Sequence, residues 1–396
     1  MEKQLEKTGS LYGGILLVAG CCIGAGMLGL PVLSSMAGFY PSMLIFFICW
    51  AFMFATGLLL IEVNLWLGTE VSLVSLANHT LGSSGKFITW GVFAFLFYSL
   101  MVAYVAASGS MTSQLLSQLI GFHLEPAMGG LLFCLLFSFL LYKGTQAVDL
   151  FNRFLMGGLV ALYLLLLAFG TPHVDIQLLQ HHDWSYATMV IPAVIVSFGY
   201  HNLIPSLTTY YRGHVGQLVT AIGVGSAIPL VIYIAWEWLI LGIVPLSGFQ
   251  AALDHGEIAT EALRQAIGYS WVVPIAQGFA FFAIITSFLS VALSFVDFLA
   301  DGLRMAKDRT GKIILISLVL LPPWICALFY PDIFLVALNY AGGFGAVILF
   351  GILPAMMVWK GRYQLGKQTI ELLPGGKASL LAVILFALGV MFLQII

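Results

Sequence analysis

Two glycine-rich interruptions of apolar segments carry most of the chemistry this sequence can offer. The first reads GCCIGAGMLGLP over 20–31 and the second SFGYHNLIP over 197–205. A helix broken at membrane depth exposes N–H and C=O groups, which is tolerable only where they line a cavity or meet a ligand. The half-helix starting near Gly24, Ala25 and Gly26 would present free N–H groups and the positive end of its dipole, a match for a carboxylate. The half-helices ending near Gly20-Cys21 and Ser197-Phe198 would present free carbonyls, a match for an ammonium group or a metal cation. Glycine removes the Cβ that would hold a ligand away from the backbone. Donors for an anion and acceptors for a cation in one pocket describe a zwitterionic amino acid.

Titratable residues inside apolar segments are few. Of eight histidines only His201, in the second interruption, lies within one. An ionisable residue there is a functional candidate by default, and imidazole titrates in the useful range. Two roles are open to His201: carrying a coupling proton, or bonding an unwound carbonyl as a neutral ring. Glu237, in Trp236-Glu237-Trp238, either carries protons or sits in an outer vestibule. Counted from Pro245 it lies about 12 Å below the outer end at 1.5 Å per residue, which favours the vestibule. Glu62 closes an apolar segment and reads as a capping residue or the partner of a loop cation. Asp297 and Asp301 share a helical face and could hold Mg²⁺ in a membrane prenyl transferase. Such an enzyme needs a second acidic motif, which is missing, so a hydrated helix end beside Arg304 is preferred. Five cysteines with no CxxC spacing suggest neither a disulfide framework nor a zinc site.

The elements that position these residues follow from composition. Of 396 residues, 61% are hydrophobic and 8% charged, against roughly 25% charged in a soluble domain. Only a lipid bilayer solvates such a chain. Apolar runs give eleven spans: 11–33, 39–62, 87–120, 127–142, 151–170, 187–208, 217–245, 271–300, 312–329, 333–358 and 378–396. Two more polar stretches, 70–82 and 257–267, read as helices at the interface. With a cytoplasmic N-terminus, fourteen of the 15 Lys and Arg residues fall on the cytoplasmic side and only Arg264 opposite. The positive-inside rule therefore sets the N-terminus inside and the C-terminus outside.

The interruptions lie in spans one and six, about 175 residues apart. An odd number of spans between them inverts the second copy, giving repeats over 11–170 and 187–358 with the helix 378–396 appended. The expected fold is an all-α polytopic membrane protein: eleven transmembrane helices, a five-plus-five inverted repeat with interrupted helices one and six, and one extra C-terminal helix. Paired interrupted helices in corresponding halves point to a transporter binding site. Lys+Arg do not outnumber Asp+Glu, which argues against nucleic acid, and there is no nucleotide-binding motif for a primary pump. No cofactor is expected.

GCCIGAGMLGLP and SFGYHNLIPSL resemble the paired signatures of the hydroxy and aromatic amino acid permease family, its tyrosine-specific branch above all, over nearly the whole chain. The resemblance implies import of tyrosine or a related aromatic amino acid across the inner membrane, by proton symport and alternating access. Spans one, two, six and seven would rock against three, four, eight and nine. It places Gly24, Ala25, Gly26, Phe198 and Gly199 at the substrate and Tyr104, in span three, at its carboxylate. Tyr200 and Phe281 are rings available to an aromatic side chain. In sodium-coupled members of the superfamily, span-eight hydroxyls join span-one carbonyls around a cation, which makes Thr286 and Ser287 the alternative coupling residues; ordinary helix packing is their other reading. Some proton-coupled relatives carry a lysine in span five, and this chain has none there. A serine or threonine symporter, or a sodium-coupled one, is the second reading.

Overall fold

The computed structural model describes residues 9–68, 71–121, 124–267, 272–367 and 370–395. His123, the first residues expected for the 70–82 stretch and for span eight, and the last of span eleven lie outside them. Among the described residues, ten helices are long and apolar enough to cross a membrane, and the pair Leu11–Cys22 and Gly26–Ser34, bent by 55°, makes an eleventh. Each of the eleven expected spans has its counterpart, and the chain is an all-α multi-pass membrane protein. Span one is the bent pair. Span two is Phe39–Leu67, five residues longer than its apolar run suggests, and span three is Ser83–Ile120. Spans four, five and seven are Pro126–Lys143, Thr145–Gly170 and Val215–Leu241; spans eight, nine and eleven are Val272–Gly302, Arg309–Phe329 and Gly376–Leu393.

Span six is assembled from pieces. Ile191–Ser197 is α-helical, the chain breaks at Phe198-Gly199, Tyr200–Leu203 makes a 3₁₀ turn, and Ile204–Tyr210 resumes the helix. Proline stands in the first turn of each helical piece (Pro192, Pro205), where its missing N–H costs nothing. Span ten is also irregular. Between Phe334–Tyr340 and Leu353–Tyr363 it is π-helical over Ala341–Ile352, with the i→i+5 bonds that recur at functional sites. Gly342 there lies so close to the carbonyl of Pro192 that a Cβ would overlap it, so glycine sets the contact between spans ten and six.

The 70–82 and 257–267 stretches form the helices Leu73–Leu81 and Ala259–Ile267. Between span seven and the latter, Leu246–Asp254 is a further short helix that the apolar pattern does not separate from its neighbours. The spans sort into two packed groups. Spans one, two, six and seven contact one another, spans three, four, five, eight and nine contact one another, and span ten touches both. The broken helices sit in the first group and face the second.

Candidate functional site

The site forms where spans one and six lose their helical bonding at the same level. Span one leaves the helix at Ile23, whose backbone is extended, and restarts at Gly26. Its restart is held by span eight: the Ala25 N–H donates to Ser287 Oγ at 2.8 Å. Met27 and Leu28 donate to the carbonyls of Gly24 and Ala25, whereas the N–H groups of Gly24 and Gly26 have no partner among the described residues. Both glycines line a cavity of about 110 Å³ between the two helix groups. The opposite wall is Val196, Ser197 and Gly199 of span six, and Phe93, Phe97 and Phe350 enclose it with rings. A Cβ on Gly26 would stand 2.6 Å from Ser197 Oγ.

Span seven ties this arrangement together with contacts on span one from Tyr233, Trp236 and Glu237. Tyr233 Oη lies 2.5 Å from the Cys22 carbonyl and 3.1 Å from the Ser197 carbonyl, joining the two breaks. Trp236 Nε1 donates to the Met27 carbonyl at 2.9 Å. Ser34 Oγ, at the far end of the half-helix, donates to Glu237 Oε2 at 2.7 Å. A phenol has a single proton for the two carbonyls, so one of them keeps acceptor capacity.

Family comparison fits this geometry. Residues 7–394 match the tryptophan/tyrosine permease family. The chain belongs to that family. It is 31% identical to the tryptophan-specific transport protein of Haemophilus influenzae, covering 97% of this chain and 95% of the relative. It is equally 31% identical to tyrosine-specific transport system 1 of the same organism, over 97% and 95%, and 28% identical to the low affinity tryptophan permease of Escherichia coli, over 98% and 96%. The relatives are transport proteins, and this permease is not an enzyme.

The permease fold brings some of the expected residues together and sets others apart. Gly24, Gly26, Tyr104, Gly199 and Ser287 line the cavity, and the Tyr104 hydroxyl lies beside Ser287. Ala25 is wholly buried and contributes through its N–H to Ser287. Phe198 is turned away, its ring edge-on to Tyr233 at 5.3 Å. Tyr200 is also behind the wall, donating from Oη to the Met53 carbonyl. Thr286 bonds back to the Ala283 carbonyl of its own turn.

His201 is fully buried, stacked at 4.8 Å between the rings of Tyr200 and Phe350. Its Nε2 is 2.9 Å from Thr56 Oγ1, which donates onward to the Met53 carbonyl. Thr56 has one hydroxyl proton for the Met53 carbonyl and His201 Nε2, and His201 Nδ1 has no partner among the described residues. The expected vestibule position of Glu237 is corrected: the residue is 0% exposed, and its Oε1 has no partner among the described residues. Distance from the helix end misplaced it because the half-helix Gly26–Ser34 and the short helix Ile176–Leu179 pack against span seven there.

Glu62 does pair with a cation, though not one from a loop. Arg362 at the end of span ten donates to both its oxygens, at 2.6 and 2.5 Å, and to Glu371 at 2.7 Å. Asp297 is joined to Lys307 at 2.6 Å, not to Arg304, so it serves as a helix-end ion pair. Sequence reasoning missed Tyr233, Trp236 and Asn202. Tyrosine and tryptophan near helix ends are commonplace in membranes, which hid the first two.

Proposed function

We propose that this permease imports tyrosine or a related aromatic amino acid across the inner membrane by proton symport. What supports the substrate is the pair of unpartnered N–H groups at Gly24 and Gly26, facing the end of a second broken helix inside a ring-walled cavity. The carboxylate binds those N–H groups, the ammonium binds span-one and span-six carbonyls, and the aromatic side chain extends along Phe93 and Phe97. The family and its relatives, named for tryptophan and tyrosine, support the aromatic class.

The proton reading rests on titratable side chains held inside the protein. Ser287 accepts from Ala25 N–H and Thr286 donates to its own turn, which leaves a lone pair on each hydroxyl for sodium, the alternative coupling ion. His201 Nδ1 and Glu237 Oε1 are buried atoms of titratable groups with no partner among the described residues. The inverted repeat is supported by a shared offset: the interval from Gly24 to Gly199 also takes buried Glu62 to buried Glu237. Alternating access then rocks spans one, two, six and seven against three, four, eight and nine, with the N-terminus cytoplasmic and the C-terminus outside.

Purified protein in liposomes tests this directly. Labelled tyrosine should accumulate under an inward proton gradient and be indifferent to exchange of sodium for choline. His201→Gln keeps a donor and an acceptor but gains no proton; it should abolish gradient-driven uptake and spare tyrosine–tyrosine exchange. Equal loss of both activities would remove His201 from coupling and move the role to Glu237. N-acetyl-tyrosine competing as well as tyrosine would overturn the zwitterion site.

A further inference from the structure

The cavity at the two breaks does not end at its ring-lined wall. Phe93, Phe97 and Asn202 line it and also line a second, wider cavity of about 520 Å³ toward the Leu73–Leu81 helix. These three residues form the neck between the two spaces. The phenylalanines are held in place by an aromatic cluster: Phe93 and Phe97 stack at 5.7 Å, Phe97 on Phe295 at 5.1 Å, and Phe93 meets Phe298 at 5.7 Å. Asn202, exposed on the side of the wider cavity, supplies the neck's one polar side chain. Its Oδ1 has only the Cys21 thiol, a weak donor, at 4.0 Å, and its N–H₂ has no partner among the described residues.

The other polar side chains of the cavity are already engaged. Ser287 accepts from Ala25, Ser197 Oγ donates to the Ala193 carbonyl, and the Tyr104 hydroxyl sits beside Ser287. An amide left with spare donors and an acceptor at the end of an apolar slot is suited to a polar ring tip. Gly26 is level with Ser197, and Asn202 follows five residues on, beyond the break at Phe198-Gly199, so span six sets the two ends of the site apart.

We propose that Asn202 is a specificity-determining residue: its side-chain amide binds the O–H or N–H at the tip of an aromatic substrate, so that tyrosine or tryptophan is taken and phenylalanine is discriminated against. This inference rests on the aromatic amino acid reading above. Asn202 Oδ1 accepts from the phenol O–H or the indole N–H, and the amide N–H₂ donates to a phenol oxygen. The rings of Phe93 and Phe97 hold the substrate ring for either. A site that bonds a substrate O–H or N–H rejects the analogue lacking it once the bound ring shuts water from the amide, because its polar groups are then left unpaired.

The test is counterflow of labelled substrate in proteoliposomes holding the full chain, competed by tyrosine, tryptophan and phenylalanine. In the unmodified protein, phenylalanine should compete about tenfold or more weakly than the preferred ring. Asn202→Leu, similar in size, should raise the half-inhibitory concentration of tyrosine and tryptophan about tenfold while leaving or improving that of phenylalanine. Asn202→Ser, which keeps a smaller hydroxyl, should fall between. A preference for tyrosine over tryptophan lost on substitution identifies the phenol as the group read; the reverse identifies the indole. Should Asn202→Leu not transport, the same order is read from the shift each amino acid gives to thermal unfolding in detergent. An unchanged ratio between phenylalanine and its competitors, or equal weakening of all three, overturns the proposal. If the unmodified protein exchanges none of the three, the transport reading itself fails.

Discussion

Tyr233→Phe isolates the hydroxyl that joins the two broken helices. The ring volume stays, and only the contacts at 2.5 Å to Cys22 and 3.1 Å to Ser197 disappear. Both carbonyls belong to helix ends that have no further turn to supply a donor. A buried acceptor left unsatisfied costs about 1–3 kcal/mol, and the single phenolic proton can satisfy one carbonyl at a time, so about 2 kcal/mol is the expected loss. If that loss falls on the geometry of the breaks, the half-saturating substrate concentration should rise by roughly thirtyfold, at 1.4 kcal/mol per decade. Tyr163 provides the matched control: its hydroxyl donates to the Ile232 carbonyl of span seven at 2.8 Å and bonds to neither break. Tyr163→Phe should lower the thermal unfolding midpoint comparably and leave substrate affinity within about twofold. Both variants are measured by substrate-protected unfolding in detergent and by counterflow. Identical substrate affinities for the two variants would refute the view that Tyr233 positions the site.

Gly26→Val should fold, reach the membrane and fail to bind substrate, because its added carbons enter the space before Ser197 Oγ; binding by a protein of normal yield would exclude Gly26 from the site. Arg362→Ala leaves the Glu62 carboxylate buried and stripped of a two-point partner, a loss of about 3–5 kcal/mol. It should show as a sharply lower unfolding midpoint that Glu62→Gln in the same chain partly restores. Asp183 accepts from the Ser185 hydroxyl and N–H, which holds its carboxyl below the usual aspartate range. Because the folded value is depressed, its contribution is present above the unfolded pKa of about 3.9 and lost as pH falls through the lower folded one. The protection of the Trp184–Val190 amides, taken relative to the intrinsic exchange rate at each pH, should therefore fall at acid pH, and Asp183→Asn should flatten that dependence.

The spans were legible because lipid demands long apolar runs, and charge or proline breaks them where they end. The two helix breaks were legible for the same reason, as Gly24, Gly26 and Gly199 stand where no regular helix needs glycine. Which way side chains face was not. A helix apolar on every side gives no face to read, so Phe198 and Tyr200 were expected at the substrate although the irregular backbone through Gly199 turns them into the protein. Glu237 and Ser34 lie far apart in the sequence, and no periodicity pairs them. Asn202 stood inside the quoted motif, but its value depends on Phe93 and Phe97 arriving from span three.

The π-helical stretch Ala341–Ile352 gives span ten a property the other spans lack. A helix that bonds i→i+5 winds more residues into each turn than one bonding i→i+4, so the stretch stores surplus chain within a fixed length. Everything beyond it is phased by how much is stored. Were one residue to leave that store and the remainder relax to an α-helix, the tail of span ten would turn by about 100° relative to its beginning. Arg362, ten residues downstream of Ile352, would swing off Glu62 while Gly342 stayed seated on Pro192. Span ten thus works as a thread whose pitch sets the angle between its two anchors, and the number of residues within 341–352 is itself a structural parameter, as tightly constrained as any side chain in the site.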